Sequence, residues 1–168
     1  RQRQMCIRDR GKSDVVQPVV CKSQQQKILS FIDAARESGI EVLTGGGVPD
    51  ITNPSGYFVE PTVLNNVPRD SDVWQKEVFG PVLSVRSFSS ESDAVIEANS
   101  TAFGLASTVM SSDAAKAMRV ANRIRAGAVY ATSNGDGLLA EHPAVSRGGF
   151  GCSGVGRELG IGGLHEYT

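Results

Sequence analysis

Between residues 82 and 132 the hydrophobic period of the chain switches back and forth, and few folds accommodate that. PVLSVRSF is an apolar, β-branched run of the kind strands use, after which Ser90 and Glu91 open a helical stretch, ESDAVIEAN. LASTVM predicts a second strand, Asp113 begins the helix DAAKAMRVANRIRA, Gly127 stops it, and AVYAT predicts a third strand. Strand, helix, strand, helix, strand implies an α/β chain with a parallel sheet and flanking helices. The return to a parallel neighbour must cross the sheet face, and a helix makes that crossing. Ligands of such sheets collect at the carboxyl ends of the strands.

Upstream, QQQKILSFIDAARES (24 to 38) places Ile28, Phe31, Ile32 and Ala35 at helical spacing, with Gly39 as the stop. Short apolar segments follow, EVLT (41 to 44) and YFVEPTVL (57 to 64), bordered by Gly, Pro and Asn as strands are. A chain of 168 residues suits one domain or a piece of one. Residues 1–10, RQRQMCIRDR, carry four arginines and little apolar content, and read as a disordered or non-native extension ahead of a folded part, 11–168. After Thr132 the pattern is mostly loop, with GDG, RGGFGCSGVGRELG and GIGG close together.

A formal net charge of −1 gives no reason to expect a nucleic-acid partner. No run of about 18 apolar residues occurs, so neither a membrane span nor a secretory leader is expected, and the location expected is cytoplasmic. Cys6, Cys21 and Cys152 are widely spaced, and with two histidines they form neither a disulfide framework nor a metal site.

Three stretches could carry chemistry. In KEVFGPV (76 to 82), Glu77 offers two acceptor oxygens suited to the vicinal hydroxyls of a ribose, and Phe79, on the same side by period two, offers a flat apolar face to a planar ring. The same residues also suit an ordinary loop, with Glu77 solvated and Phe79 entering the core. The glycine-rich run resembles a phosphate loop in composition but not in pattern, and an irregular loop with unusual backbone angles explains it as well. Cys152 sits beside Ser153 and near Arg157 in sequence, yet no base accompanies it; His142 reads as a surface residue and His165 as a packed one.

The order of segments says more. GYFVEPTVL, KEVFGPVLSV, EANSTAFGLASTV, RVANRIRAGAVY and SGVGRELGIGGLHEYT resemble, in that order, the C-terminal third of the NAD(P)-dependent aldehyde dehydrogenase superfamily, from about Gln17 onward. The resemblance implies a partial aldehyde dehydrogenase catalytic domain in which Glu77 clasps the nicotinamide ribose of NAD or NADP and Phe79 lies against it. It implies oxidation of an aldehyde to a carboxylic acid through a cysteine thiohemiacetal, with the nucleophilic cysteine and general-base glutamate N-terminal to these motifs. Cys6, in QMCIR, stands too near the QPVV segment to be that nucleophile, so the chain alone is expected to be inactive. The loop from Ala131 to Gly151 would help line the aldehyde entrance. The parent would be a homodimer or homotetramer.

Two departures bear on substrate. Thr132 stands where many relatives have Asn, and Ser146-Arg147-Gly148-Gly149-Phe150-Gly151 lacks the usual lysine. The alternative is a non-catalytic assembly or weak nucleotide-binding module, and acylating or phosphate-dependent relatives share the same scaffold.

Overall fold

The computed structural model describes residues 16–49, 56–133 and 142–168. The proposed extension at residues 1–10, Cys6, the GDG run and part of the Ala131 to Gly151 loop lie outside the described residues. The chain divides into two compact units, residues 1–87 and 88–168.

The first unit is built on one helix, α1 (Lys22–Glu37). Its apolar positions recur at the helical period, so Ile28, Ile32 and Ala35 fall on one face and are buried, the two isoleucines at 0% exposure. Ile28 and Ile32 pack with Val59 and Val78, and Ala35 packs with Ile40, Leu64, Val67 and Val73. Each fully buried isoleucine contributes roughly 2 to 3 kcal/mol. Gly39 ends the helix at φ 79°, a conformation that glycine adopts without a Cβ penalty.

Three short strands form the sheet of this unit: β1 (Glu41–Thr44), β2 (Thr62–Asn65) and β3 (Val82–Ser84), in the order β1-β2-β3. β1 runs antiparallel to β2, and β2 runs parallel to β3 with Leu64 opposite Ser84. A one-turn helix, α2 (Asp72–Gln75), lies between the parallel pair in sequence. Thr62 is buried because its hydroxyl is satisfied twice, accepting from Gly46 N at 2.9 Å and donating to Glu60 O at 2.7 Å.

The second unit contains α3 (Glu91–Ala98), β4 (Phe103–Gly104), β5 (Ala106–Met110), α4 (Ala114–Ala121), β6 (Ala128–Thr132), β7 (Phe150–Gly151) and α5 (Gly160–His165). β5 and β6 pair in parallel from Ala106 opposite Ala128 to Met110 opposite Thr132, with α4 as the connection, and β4 pairs antiparallel with β7. Both helix starts read from sequence are caps: Ser90 Oγ accepts from Asp93 N at 3.1 Å, and Asp113 Oδ1 accepts from Lys116 N at 3.0 Å. Across the two helices, Arg119 donates to both oxygens of Glu91, at 2.9 and 2.7 Å.

The structure corrects several expectations. Parallel pairing is present in each unit, β2 with β3 in the first and β5 with β6 in the second. α4 stops at Ala121, not at Gly127, because the Asn99 side chain takes over the backbone beyond it: Asn99 Nδ2 donates to Arg123 O and Asn99 Oδ1 accepts from Arg125 N. GIGG is not loop but the start of α5, where Gly162 N is held by Ser146 Oγ at 3.0 Å. His165, expected to be packed, is exposed in the last turn of α5, a position where a cationic ring suits the helix dipole.

Two outcomes follow. Ile32→Ala should cost about 2 to 5 kcal/mol, read from the urea midpoint by fluorescence of the single tryptophan, Trp74, which packs against the first unit's core. The hydrogen bond from Arg119, and then the nearby charges of Arg119 and Arg123, hold the Glu91 carboxyl below its ordinary 4.5. A folded-state pKa below the unfolded one stabilises at higher pH and is lost as pH falls through the folded value. Urea titrations followed by circular dichroism should therefore show a shallower loss of stability below pH 4.5 for Glu91→Gln than for the parent.

Candidate functional site

The segment KEVFGPV leaves α2 and enters β3, and it is fixed at several points. Lys76 closes α2, its backbone N–H donating to Asp72 O at 2.8 Å and its ammonium to Asp72 Oδ2 at 2.8 Å. Val78 is buried against Ile28, Ile32 and Val59. A Cβ on Gly80 would overlap the Ile28 side chain, so the chain passes this close to α1 only as glycine. Pro81 O accepts from Thr62 N at 2.8 Å, and Val82 N turns back to Gly80 O at 2.8 Å, which produces the bend expected of Gly-Pro.

Between these anchors the side chains of Glu77 and Phe79 face outward on either side of buried Val78. Phe79 is 64% exposed, so it does not enter the core, as one reading of the sequence had allowed. The alternation of burial is the one expected of an extended segment, but the backbone is not a strand: Phe79 has φ 57°. An L-residue at positive φ costs roughly 1 to 2 kcal/mol, and such strain persists only where surrounding structure enforces it.

The enforcing group is one that sequence reasoning missed. Gln24, in the first turn of α1, donates from Nε2 to Phe79 O at 2.9 Å and to Val78 O at 3.3 Å. Its neighbour Gln25 donates to Phe58 O at 2.7 Å. A polar triplet at the start of an amphipathic helix looks like solvated surface in sequence, and only a partner 54 residues away distinguishes it.

Glu77 is exposed, and its carboxylate makes no hydrogen bond or ion pair to a described residue. Its acceptor oxygens are therefore open to donors from outside, such as a vicinal diol, beside an exposed aromatic face.

The other candidates do not join this site. The glycine-rich run is spent on its own structure. Arg147 and Glu158 exchange backbone hydrogen bonds at 2.6 and 2.7 Å, Cys152 N donates to Ala102 O, and Gly154 N donates to Gly151 O. Gly151, Gly154 and Gly156 have φ of 59°, 106° and 85°, the unusual angles of the irregular-loop reading. Arg157 staples the loop from within, donating to Gly156 O and Gly149 O and lying 5.1 Å from the Phe150 ring centroid. Cys152 is exposed in that loop. His142 is exposed, as expected, with Nδ1 accepting from Ala144 N at 3.2 Å. Cys21 stands at the N-terminal boundary of α1 without a side-chain capping bond, and its thiol pKa is lowered first by the Ser23 hydroxyl and then by the Gln24 backbone. Among the described residues no group of three or more His, Cys, Asp or Glu could hold a metal, and no helix is long and apolar enough to cross a membrane.

A sequence model of the aldehyde dehydrogenase family matches residues 3–168. The chain belongs to the aldehyde dehydrogenase family. Aldehyde dehydrogenases similar to it include the chloroplastic betaine aldehyde dehydrogenase of Beta vulgaris and the peroxisomal aminoaldehyde dehydrogenase 1 of Pisum sativum. Each is 40% identical over 150 residues, 89% of this chain and 29% of the relative. Betaine aldehyde dehydrogenase from Brucella anthropi is 40% identical over 152 residues, 90% of this chain and 30% of the relative. Among solved structures, betaine aldehyde dehydrogenase from Staphylococcus aureus in complex with NAD+ superimposes with a TM-score of 0.82 at 39% identity, covering 89% of this chain and 29% of that one. The chain thus spans less than a third of the length of these aldehyde dehydrogenases.

Because relief of strain at Phe79 offsets the added chain entropy, Phe79→Gly should leave the unfolding free energy from urea titration within about 1 kcal/mol of the parent. Phe79→Val should be the less stable of the two, since a β-branched residue tolerates positive φ poorly.

Proposed function

We propose that this chain supplies the cofactor-facing part of an NAD(P)-dependent aldehyde dehydrogenase, in which Glu77 and Phe79 hold the nicotinamide ribose. The observation that carries this reading is the pinned loop that presents a carboxylate without a partner among the described residues, two positions from an exposed ring. Family membership and the NAD+ complex of the Staphylococcus aureus relative support it. The dinucleotide, NAD or NADP, is the two-electron acceptor when bound. Glu77 would accept hydrogen bonds from the ribose hydroxyls. Phe79 excludes water from one side of that sugar.

The substrate is an aldehyde that leaves as a carboxylic acid, and the names of the relatives point to betaine aldehyde or an aminoaldehyde as its class. In this reading the nucleophilic thiol and the general base come from sequence N-terminal to these motifs, and the chain by itself does not complete the reaction. Cys152 is not that thiol, since its loop places no hydrogen-bonded base on it among the described residues. Exposed Val155, Ile161, Leu164 and Tyr167 fit the same reading, as apolar surface that further parts of a larger, homo-oligomeric enzyme would cover. The location proposed for that enzyme is cytoplasmic.

Glu77→Gln keeps the size of the side chain but removes its charge. In the enzyme that carries this chain it should raise KM for the dinucleotide about tenfold, the loss expected of a charge-assisted hydrogen bond, and leave KM for the aldehyde unchanged. Steady-state kinetics with each substrate varied in turn make the measurement. An unaltered dinucleotide KM would remove Glu77 from the site.

A further inference from the structure

The two carbonyls bound by Gln24 belong to consecutive residues, and together they bracket the Cα of Phe79. In a regular strand, consecutive carbonyls point to opposite edges and cannot meet one donor group. Here both converge on a single nitrogen, so the amide is bonded to a backbone shape that an extended chain does not have. Because both neighbours are acceptors, the nitrogen rather than the oxygen of the carboxamide must face the loop.

The apolar anchors of the loop do not do this work. Val78 is held by the Ile28 and Ile32 cluster, and Gly80 by its close approach to Ile28, but the Phe79 side chain between them is exposed and gains little from packing. What defines the peptide planes on either side of Phe79 is therefore the Gln24 carboxamide. Glu77 leaves the chain one residue before the first bonded carbonyl, and the Phe79 ring leaves it between the two.

We propose that Gln24 is a positioning residue for the dinucleotide: its carboxamide holds the Val78 to Phe79 turn in its positive-φ form and thereby sets where Glu77 and Phe79 are presented. This inference rests on the reading of Glu77 and Phe79 given above. Gln24 acts through the loop backbone.

Three variants test it. Gln24→Glu has nearly the same shape but replaces the donor with a carboxylate that both carbonyls repel, while its charge at a helix N-terminus favours α1. Gln24→Ala removes the side chain. Gln25→Ala removes the neighbouring bond to Phe58 O and is the control. In the full chain, amide hydrogen exchange read by mass spectrometry should be about tenfold faster or more across residues 76–82 in both Gln24 variants. Exchange in β2 should be unchanged, and Gln25→Ala should not alter residues 76–82. If Gln24 mattered only as packing, Gln24→Glu would exchange like the parent, and that result would overturn the inference. Should Gln24→Ala fail to fold, Gln24→Glu still decides it.

A second arm uses NAD+ kinetics of the enzyme that carries this chain. Gln24→Glu and Gln24→Ala should each raise KM for NAD+ about tenfold with KM for the aldehyde unmoved, and Gln25→Ala should do neither. Glu77→Gln, measured alongside, separates the two ideas. If Glu77→Gln leaves KM for NAD+ unchanged, the ribose reading fails, whatever Gln24 does to exchange. If Glu77→Gln raises it and the Gln24 variants do not, the positioning role fails and the ribose reading stands.

Discussion

The buried face of α1 is the surface on which the first unit is assembled. Ile28 and Ile32 are fully enclosed, and the groups that enclose them come from the segment before β2 and from the loop before β3. Removing apolar area from water therefore does two things at once: it stabilises the unit and it brings the Val78 loop to the helix. Once Val78 is seated, the first-turn glutamines lie within reach of the carbonyls of Phe79 and Phe58. Directional hydrogen bonds then refine what non-directional burial has gathered. The candidate site is thus a by-product of core packing, finished by the side-chain amide of Gln24.

The functional consequence is a division of labour within seven residues. Val78 and Gly80 face α1 and serve structure, whereas Glu77 and Phe79 face outward and are left without partners among the described residues. A positive φ at an aromatic residue is expensive, and it is found here beside the one carboxylate that the family resemblance singles out. The second unit shows the opposite economy. In its glycine-rich run the Cys152 amide is committed to Ala102 O, the Gly154 amide to Gly151 O and the Arg157 guanidinium to Gly149 O and Gly156 O, so a composition that suggested an anion site serves the loop's own structure.

Much of this was legible in the sequence. The buried positions of α1, the caps at Ser90 and Asp113, the span of AVYAT and the outward pair Glu77 and Phe79 all follow from patterns a few residues long. What was misread involves competition from a distance. α4 ends early because Asn99, 24 residues before Arg123, supplies bonds that the helix would otherwise make. His165 reads as packed in sequence because nothing local distinguishes a buried imidazole from one at an exposed helix end.

The sequence by itself determined the kinds of elements, their order and the family, since propensity, capping and motif order are properties of short stretches. It also offered Glu77 and Phe79 as candidates. Only the tertiary structure decided that Phe79 stands at positive φ, that Val78 anchors it and that Gln24 holds it. A hydrogen bond between residues 55 apart exists only after burial has brought its ends together, and no local pattern encodes it.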